Sequence, residues 1–545
     1  MATHDYALLL KSILKMPIAQ ASRKQIVYRG DQRFTYPQFV ERVHRLGAAL
    51  TALGAKPGTR IAVMDWDSHR YLESYFAIPA LGCVLMSVNI RLAPEQIAYT
   101  IDHSDAEILL INKDFYPACQ ALRDKLPKIK HYICLADDDL PADNDYGDKY
   151  AGDYETLLAA ATPLPEFPDF DENTIATSFY TTGTTGLPKG VYFTHRQLVL
   201  HALSLMSTLM MAGLNGRISR EDVYLPLTPM FHVHAWGFPY VAVMLGMQQV
   251  YPGRFIPATV LKLLATESIT ISHCVPTILH MILGAPEAKN IDLRGWKLII
   301  GGSAMPVSLC RAALARGIDA YTGYGMSESG PILTISQLTQ DLLPDPTDIE
   351  TEIAIRCAAG QHGALIELAI VDDDMTHLPH DGQAIGEVVA RGPCLTPGYV
   401  KNPEASATLW RGGWMHTGDI GTIDQNGLLH ILDRSKDIIK TGGEWISSIG
   451  LEDILLRHPA ISECAVIATD DPRWGERPLA IVVLKPNTTA TEEDLKTLIR
   501  TRVDSGELSR YAIPDQIIFA DSLEKTSVGK LDKKKMRGIY GKVAV

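Results

Sequence analysis

Apolar positions along this chain recur in two periods, and their alternation predicts a sheet-and-helix fold. Residues 25–29 read as a strand, Gly30-Asp31 as a turn and 33–36 as a second strand. From 39 to 53 the apolar residues fall at helical spacing, ending near Gly54. A short apolar strand at 60–64 precedes a helix running through Tyr71 to Ala80, and strand patterns return at 107–111, 269–272 and 296–300. Apolar strands separated by helices imply an α/β fold with mixed, mainly parallel sheets covered by helices. From about Gln383 the pattern changes to short strands and Gly turns, at 386–392 and 427–432. Beyond Lys440 a smaller α+β unit follows: a helix at 452–457, strands at 465–468 and 479–484, and a capped helix start at Thr491-Glu-Glu-Asp494.

At 545 residues the chain exceeds one ordinary core. The texture change marks a boundary at 434–440, between a large N-terminal domain (1–433) and a smaller C-terminal domain (441–545). A formal net charge of -12 argues against a nucleic-acid partner, whose phosphates would repel it. The eight cysteines are scattered without a C-x-x-C pair, which reads as free thiols in a reducing compartment. No apolar run approaches the roughly 18 residues of a membrane span, and the apolar run at 6–10 is too short for a secretory signal. The expectation is a cytoplasmic protein.

Residues 180–190 read YTTGTTGLPKG, between a strand pattern at 174–180 and a helical pattern opening at His195. Gly183, Gly186 and Gly190 let the backbone turn its N–H groups toward an anion, and Thr181, Thr182, Thr184 and Thr185 add hydroxyls. Lys189 adds positive charge. The spacing is not the G-x-x-x-x-G-K-[ST] of triphosphatases. Taken alone, the loop is either a phosphate cradle or a plain surface connection.

Five further stretches decide between these. They read GGSA (301–304), YTGYGMSESG (321–330), WMHTGD (414–419), DRSKDIIKTGGEW (433–445) and TSVGKLD (526–532). In this order and spacing the set closely resembles the adenylate-forming enzymes, and most of all the bacterial medium- and long-chain fatty acyl-CoA synthetases. The resemblance spans nearly the whole chain.

What it implies is a two-step reaction. A carboxylate attacks the α-phosphate of ATP and expels pyrophosphate, then the acyl group passes to CoA. The family pattern puts Thr184 and Glu328 on Mg²⁺, which prefers hard oxygen ligands. It puts Gly302, Ser303 and Ala304 along the adenine, with Tyr324 stacked on its face. Thr322, Gly323, Gly325, Met326 and Ser327 complete the nucleotide loop, with Ser327 where Thr is usual. Asp419, helped by Arg434, is expected on the ribose, and Lys530 on the α-phosphate and carboxylate. Lys436 matches the hinge (434–440) of a mobile C-terminal domain; Lys440, Gly442, Gly443 and Trp445 follow it toward the adenylate phosphate and the pantetheine channel. Lys533, Lys534 and Lys535 read as solvated surface.

On the acyl side, residues 229–240 read PMFHVHAWGFPY. By resemblance His232 faces the acyl carboxylate, Trp236 gates the acyl tunnel, and Val233, Gly302 and Gly325 line the substrate; a plain core Trp is the other reading. Met206, Met210, Met211 and Met230 are either a pliable pocket lining or core. The acid itself stays open between a medium- or long-chain fatty acid and an aryl, cyclic or thioether-bearing one. A peptide-synthetase module, a serine hydrolase built on Gly325-Met-Ser327 and a non-catalytic nucleotide binder are the competing classes. Relatives of the subgroup imply a homodimer through the large domain.

Overall fold

The computed structural model describes residues 6–137, 146–181, 187–211, 213–442, 444–506, 508–525 and 531–541. One sheet runs in the order Gln361–His362, Thr334–Ile335, Asp319–Tyr324, Lys297–Ile300, Ile271–Cys274, Val223–Pro226, Gln248–Tyr251, Gln25–Tyr28, Gln32–Thr35. Its inner strands, from Asp319–Tyr324 to Gln25–Tyr28, pair in parallel. A second sheet runs Tyr150–Asp153, His131–Leu135, Ala106–Asn112, Arg60–Met64, Val84–Ser87, Ile175–Thr181, Lys189–Thr194, all parallel but the last pair. Parallel strands are covered on both faces, which is why segments such as Ala106–Asn112 and Lys297–Ile300 read as near-continuous apolar runs.

Helix His69–Ala80 touches strands of both sheets and is buried along its whole length. A helix so placed needs no polar stripe. The charges it carries are matched inside: Arg70 meets Asp137 at 2.5 Å, and Glu73 meets Arg42 at 2.6 Å.

The 180–190 loop does not lie between a strand and a helix. Lys189–Thr194 returns antiparallel to Ile175–Thr181, so the loop tips a hairpin. Helix His195–Met210 starts only afterwards, capped reciprocally by Thr194 and Gln197. The returning strand has the β-branched and aromatic residues of a strand, but it is too short for its period to show in the sequence.

An antiparallel sheet of Glu367–Val371, Gly386–Arg391, Met415–Ile423 and Leu429–Arg434 follows. The smaller C-terminal domain has its own sheet, Glu444–Ile446, Ile439–Thr441, Gly475–Leu484 and Ile461–Asp471, with Gln516–Phe519 added on Gly475–Leu484. Thr491 caps Glu492–Asp504 through the box with Asp494 that its sequence predicts. All eight cysteines are free. Among the described residues no helix is long and apolar enough to cross a membrane.

Lys533 is not solvated surface. It opens helix Lys533–Tyr540 facing inward, with its ammonium 2.7 Å from Glu452 and 2.6 Å from the Ser448 hydroxyl. Removing one partner of a buried pair strands the other charge. Lys533→Ala is therefore expected to destabilise the C-terminal domain by about 3–5 kcal/mol. Calorimetry checks this, and an unmoved transition would contradict the buried pairing.

Candidate active site

Two of the sequence motifs sit at the carboxyl ends of neighbouring parallel strands, where open α/β sheets generally place their sites. Lys297–Ile300 delivers Gly301 and Gly302, and Asp319–Tyr324 delivers Gly325. Only glycine fits at two of these points. A Cβ on Gly301 would lie 2.6 Å from the Gly323 carbonyl oxygen, and one on Gly325 would lie 1.6 Å from that of Pro331. Gly302, Ser303 and Ala304 are exposed.

Two buried carboxylates lie in this region, Asp419 beside Tyr324 and Glu328 within electrostatic reach of Arg434. The Tyr324 hydroxyl donates to Asp419 Oδ2 at 2.7 Å, while Arg434 Nε reaches Oδ1 at 2.8 Å. Asp419 and Arg434 are register partners on neighbouring strands, so the sheet itself sets the pair. Asp419 is 4% exposed, and this pairing is what makes its burial tolerable. Glu328, in the short 3₁₀ turn Ser327–Ser329, accepts from the Tyr399 hydroxyl at 2.7 Å. Burial pushes the Tyr399 hydroxyl up, and Glu328 adds to the shift. Lys189 sits 5.0 Å above the same Tyr399 ring. Backbone bonds hold this group together: Val400 N–H to the Gly190 carbonyl at 2.7 Å, and Thr396 N–H to that of Glu328 at 2.9 Å. The described end of the glycine-threonine hairpin and the acidic loop thus meet through one tyrosine.

On the acyl side a cavity of about 30 Å³ is lined by Arg91, Thr228, Phe231, His232, Trp236 and Gly302. That is about the volume of one water. The backbone beside it is left-handed over five residues: Val233 (φ +49°), His234 (+54°), Ala235 (+46°), Trp236 (+58°) and Gly237 (+71°). An L residue in this conformation costs roughly 1–2 kcal/mol, so packing must hold the turn. Val233, His234, Ala235 and Trp236 are all buried, and the Trp236 ring stacks on His273 at 4.9 Å.

Comparison with known proteins gives these features a frame. The model of the AMP-binding enzyme family matches residues 16–400, and that of its C-terminal domain matches 450–530. The chain belongs to the AMP-binding enzymes. It is 36% identical over 544 residues to a long-chain-fatty-acid–CoA ligase of Thermus thermophilus, covering 98% of this chain and 96% of the relative. It is also 36% identical over 512 residues to a 3-methylmercaptopropionyl-CoA ligase of Ruegeria lacuscaerulensis, covering 93% and 91%. The fold superposes on the crystal structure of an anthranilate CoA ligase with anthranoyl-AMP at a TM-score of 0.85, 24% identity and full coverage of both chains.

Of the family positions expected from sequence, Thr182, Gly183, Thr184, Thr185, Gly443 and Lys530 lie outside the described residues. The structure brings together Lys189, Glu328, Tyr324, Asp419 and Arg434, and Lys436 is within electrostatic reach of Asp419 and Arg434. Lys440 lies 5.2 Å over the Trp445 ring, and Gly442 N–H binds the Trp474 carbonyl, all within the C-terminal domain. Thr322 is buried with its hydroxyl donating to the Arg356 carbonyl at 2.8 Å, so its side chain braces helix Ile349–Cys357. Val233 packs in the core, not along the cavity. Met230 is core as well, whereas Met210 and Met211 are 42% and 66% exposed, neither core nor lining. Ser327 leads into a 3₁₀ turn, not the helix that a hydrolase nucleophile elbow needs.

Tyr399 and Arg91 were not found by sequence reasoning. The only local signal for Tyr399 is a Pro-Gly turn before it, and for Arg91 there is none. Tyr399→Phe removes a hydrogen bond to a charged group. The expected result is a loss of about tenfold or more in ATP–pyrophosphate exchange, with a raised Mg²⁺ requirement. Wild-type exchange and an unchanged Mg²⁺ titration would show that the hydroxyl does not orient Glu328.

Proposed function

We propose that this protein is an ATP-dependent acid–CoA ligase that adenylates a medium- or long-chain fatty acid and transfers the acyl group to CoA. The observation that carries the reading is a pair of buried carboxylates within electrostatic reach of Arg434: Asp419, bound to it and to the Tyr324 hydroxyl, and Glu328, tied to the Lys189–Tyr399 contact. Tyr324 and Asp419 suit an adenosine, the ring offering a stacking face and the carboxylate an acceptor for ribose hydroxyls. Lys189 and the hairpin amides and hydroxyls suit the phosphates. Glu328 is a hard oxygen donor at the phosphate end, a fit for Mg²⁺ held together with Thr184 and phosphate oxygens; the ion would neutralise triphosphate charge.

In the first step an acid oxygen, placed by His232 near Gly302, bonds to the α-phosphorus, and pyrophosphate leaves with the electron pair. Lys530 steadies the developing charge. In the second step the CoA thiol gives up its proton to water as its sulfur bonds to the acyl carbon, and the acyl C–O bond breaks with AMP leaving with the electron pair. Rotation about Lys436 exchanges Lys530 for the Lys440–Trp445 hairpin between the two. A cytoplasmic homodimer formed through the large domain completes the reading.

A second acid class has its own support. The cavity beside Trp236 holds about one water's volume, and a relative at 36% identity is named for a short thioether acid. A long chain needs Trp236 to move; a short acid needs less. Pyrophosphate release with ATP, CoA and a panel of short, medium, long and aryl acids tests the function. No acid-dependent release from any of them would sink the ligase reading.

Trp236→Ala is expected to shift the preferred chain length upward by several carbons, read as kcat/KM across that panel. Lys530→Ala should lower adenylation by at least about 100-fold, the scale of losing one electrostatic stabiliser, while thioester formation from preformed acyl-adenylate survives. Equal loss in both half-reactions would remove Lys530 from the first step.

A further inference from the structure

Helix His195–Met210 leaves the glycine-threonine hairpin and carries His201 on its buried face. The ring of His201 lies between two glycines that belong to different loops. A Cβ on Gly237, at the end of the left-handed turn, would fall 2.6 Å from its Cδ2 and Nε2. A Cβ on Gly330, two residues beyond Glu328, would fall 3.6 Å from its Cγ and Nδ1. Nε2 stands 3.3 Å from the carbonyl oxygen of Trp236. A carbonyl can only accept, so Nε2 carries the proton and donates. Burial pushes the imidazolium down to about 4, which keeps the ring neutral at working pH.

The turn itself brings little polar tethering. Val233 and Ala235 are apolar, and neither ring nitrogen of His234 has a hydrogen-bond partner. His234 is enclosed by the rings of Tyr75, Phe179, Phe193 and Tyr240. A strained turn of this kind persists only where its surroundings fix it. His201 fixes it from the side that faces the acidic loop.

We propose that His201 is a positioning residue for acid binding, the ring that locks the left-handed turn, and with it Trp236, against the Gly330 end of the Glu328 loop. The inference rests on the acid–CoA ligase reading and on Trp236 standing at the acyl cavity. Any displacement of Trp236 by an acyl chain then works against the His201 bond, and the acyl side is coupled to the acidic loop through one imidazole.

Steady-state kinetics with the preferred acid test it. His201→Phe keeps the ring and loses the donor, so acid KM should rise about tenfold while ATP KM stays within about twofold. His201→Gln restores an N–H near the Nε2 position and should bring acid KM back to within about threefold of wild type. With Trp236→Ala already present, His201→Phe should change acid KM by less than about twofold, since coupled residues are not additive. Equal rises in both KM values, no rescue by Gln, or a full effect without Trp236 would each overturn the proposal. If the Phe variant does not fold, Gly237→Ala pushes a methyl against the ring and should raise acid KM likewise. Adding His201→Ala should then change acid KM by less than about twofold further, since the lock is already broken, and a full additional rise overturns the proposal. Wild-type protein that ligates no acid defeats the ligase reading and this proposal together; a working ligase whose variants lack the KM split defeats this proposal alone.

Discussion

The carboxylate of Asp419 joins two sheets that have no strand in common. It lies on Met415–Ile423, accepts a hydrogen bond from the hydroxyl of the tyrosine ending Asp319–Tyr324, and is paired by an arginine at the end of Leu429–Arg434. A carboxylate this deeply buried is stable only when its oxygens are occupied, and removing either partner would strand a charge. The same pairing holds the Tyr324 ring in one orientation and brings Arg434 to the start of the junction. At its neighbour, Asp433 receives both the N–H and the hydroxyl of Ser448, the first helical residue of the C-terminal domain. The Asp419 pairing and the domain junction therefore rest on consecutive residues of one strand.

A second constraint works on the acyl side, and it is steric rather than electrostatic. Four L residues in left-handed conformation carry several kcal/mol of strain at roughly 1–2 kcal/mol each, and burying their side chains offsets a similar amount. Near balance means that a modest change in packing decides where Trp236 sits. A cavity floor built this way can be small with nothing in it and still admit a chain, whereas a rigid strand could not.

The motif positions were legible in the sequence because their chemistry is local. Gly301, Gly325, Glu328 and Asp419 each sit in a short motif whose glycines or acids have one physical use, and the strand patterns before them survive in the fold. What stayed hidden depends on pairing between distant segments. Lys189–Thr194 is a strand only because Ile175–Thr181 lies beside it. Tyr399 matters only because it bridges to Val191 and reaches Glu328. Lys533 reads as one of three equivalent lysines until the fold sets Glu452 and Ser448 against it. The turn at 233–237 runs against propensity, since nothing before Gly237 favours positive φ. The Thr322 hydroxyl, turned to the Arg356 carbonyl, was equally hidden, because a motif fixes which residues are near, not which way a hydroxyl on a strand points.

The packing of the two domains bears on how a single cleft could serve two reactions. Among the described residues, no hydrophobic cluster combines side chains before Arg434 with side chains after Ile438. The C-terminal domain keeps its own core, from Ile439 and Ile446 to Ile517 and Met536. Contacts at the junction are polar: Ser447 to the Leu432 carbonyl, Ser448 to Asp433, and Arg537 to Asp437 at 2.8 Å. Water can replace polar contacts at little net cost, whereas parting an apolar interface costs about 25 cal/mol per Å² exposed. A rotation about residues 434–440 would thus leave both cores intact. It would also leave the Asp419–Tyr324 bond untouched, because both residues precede the hinge, so the adenylate could keep its seat while the C-terminal face opposite it changed.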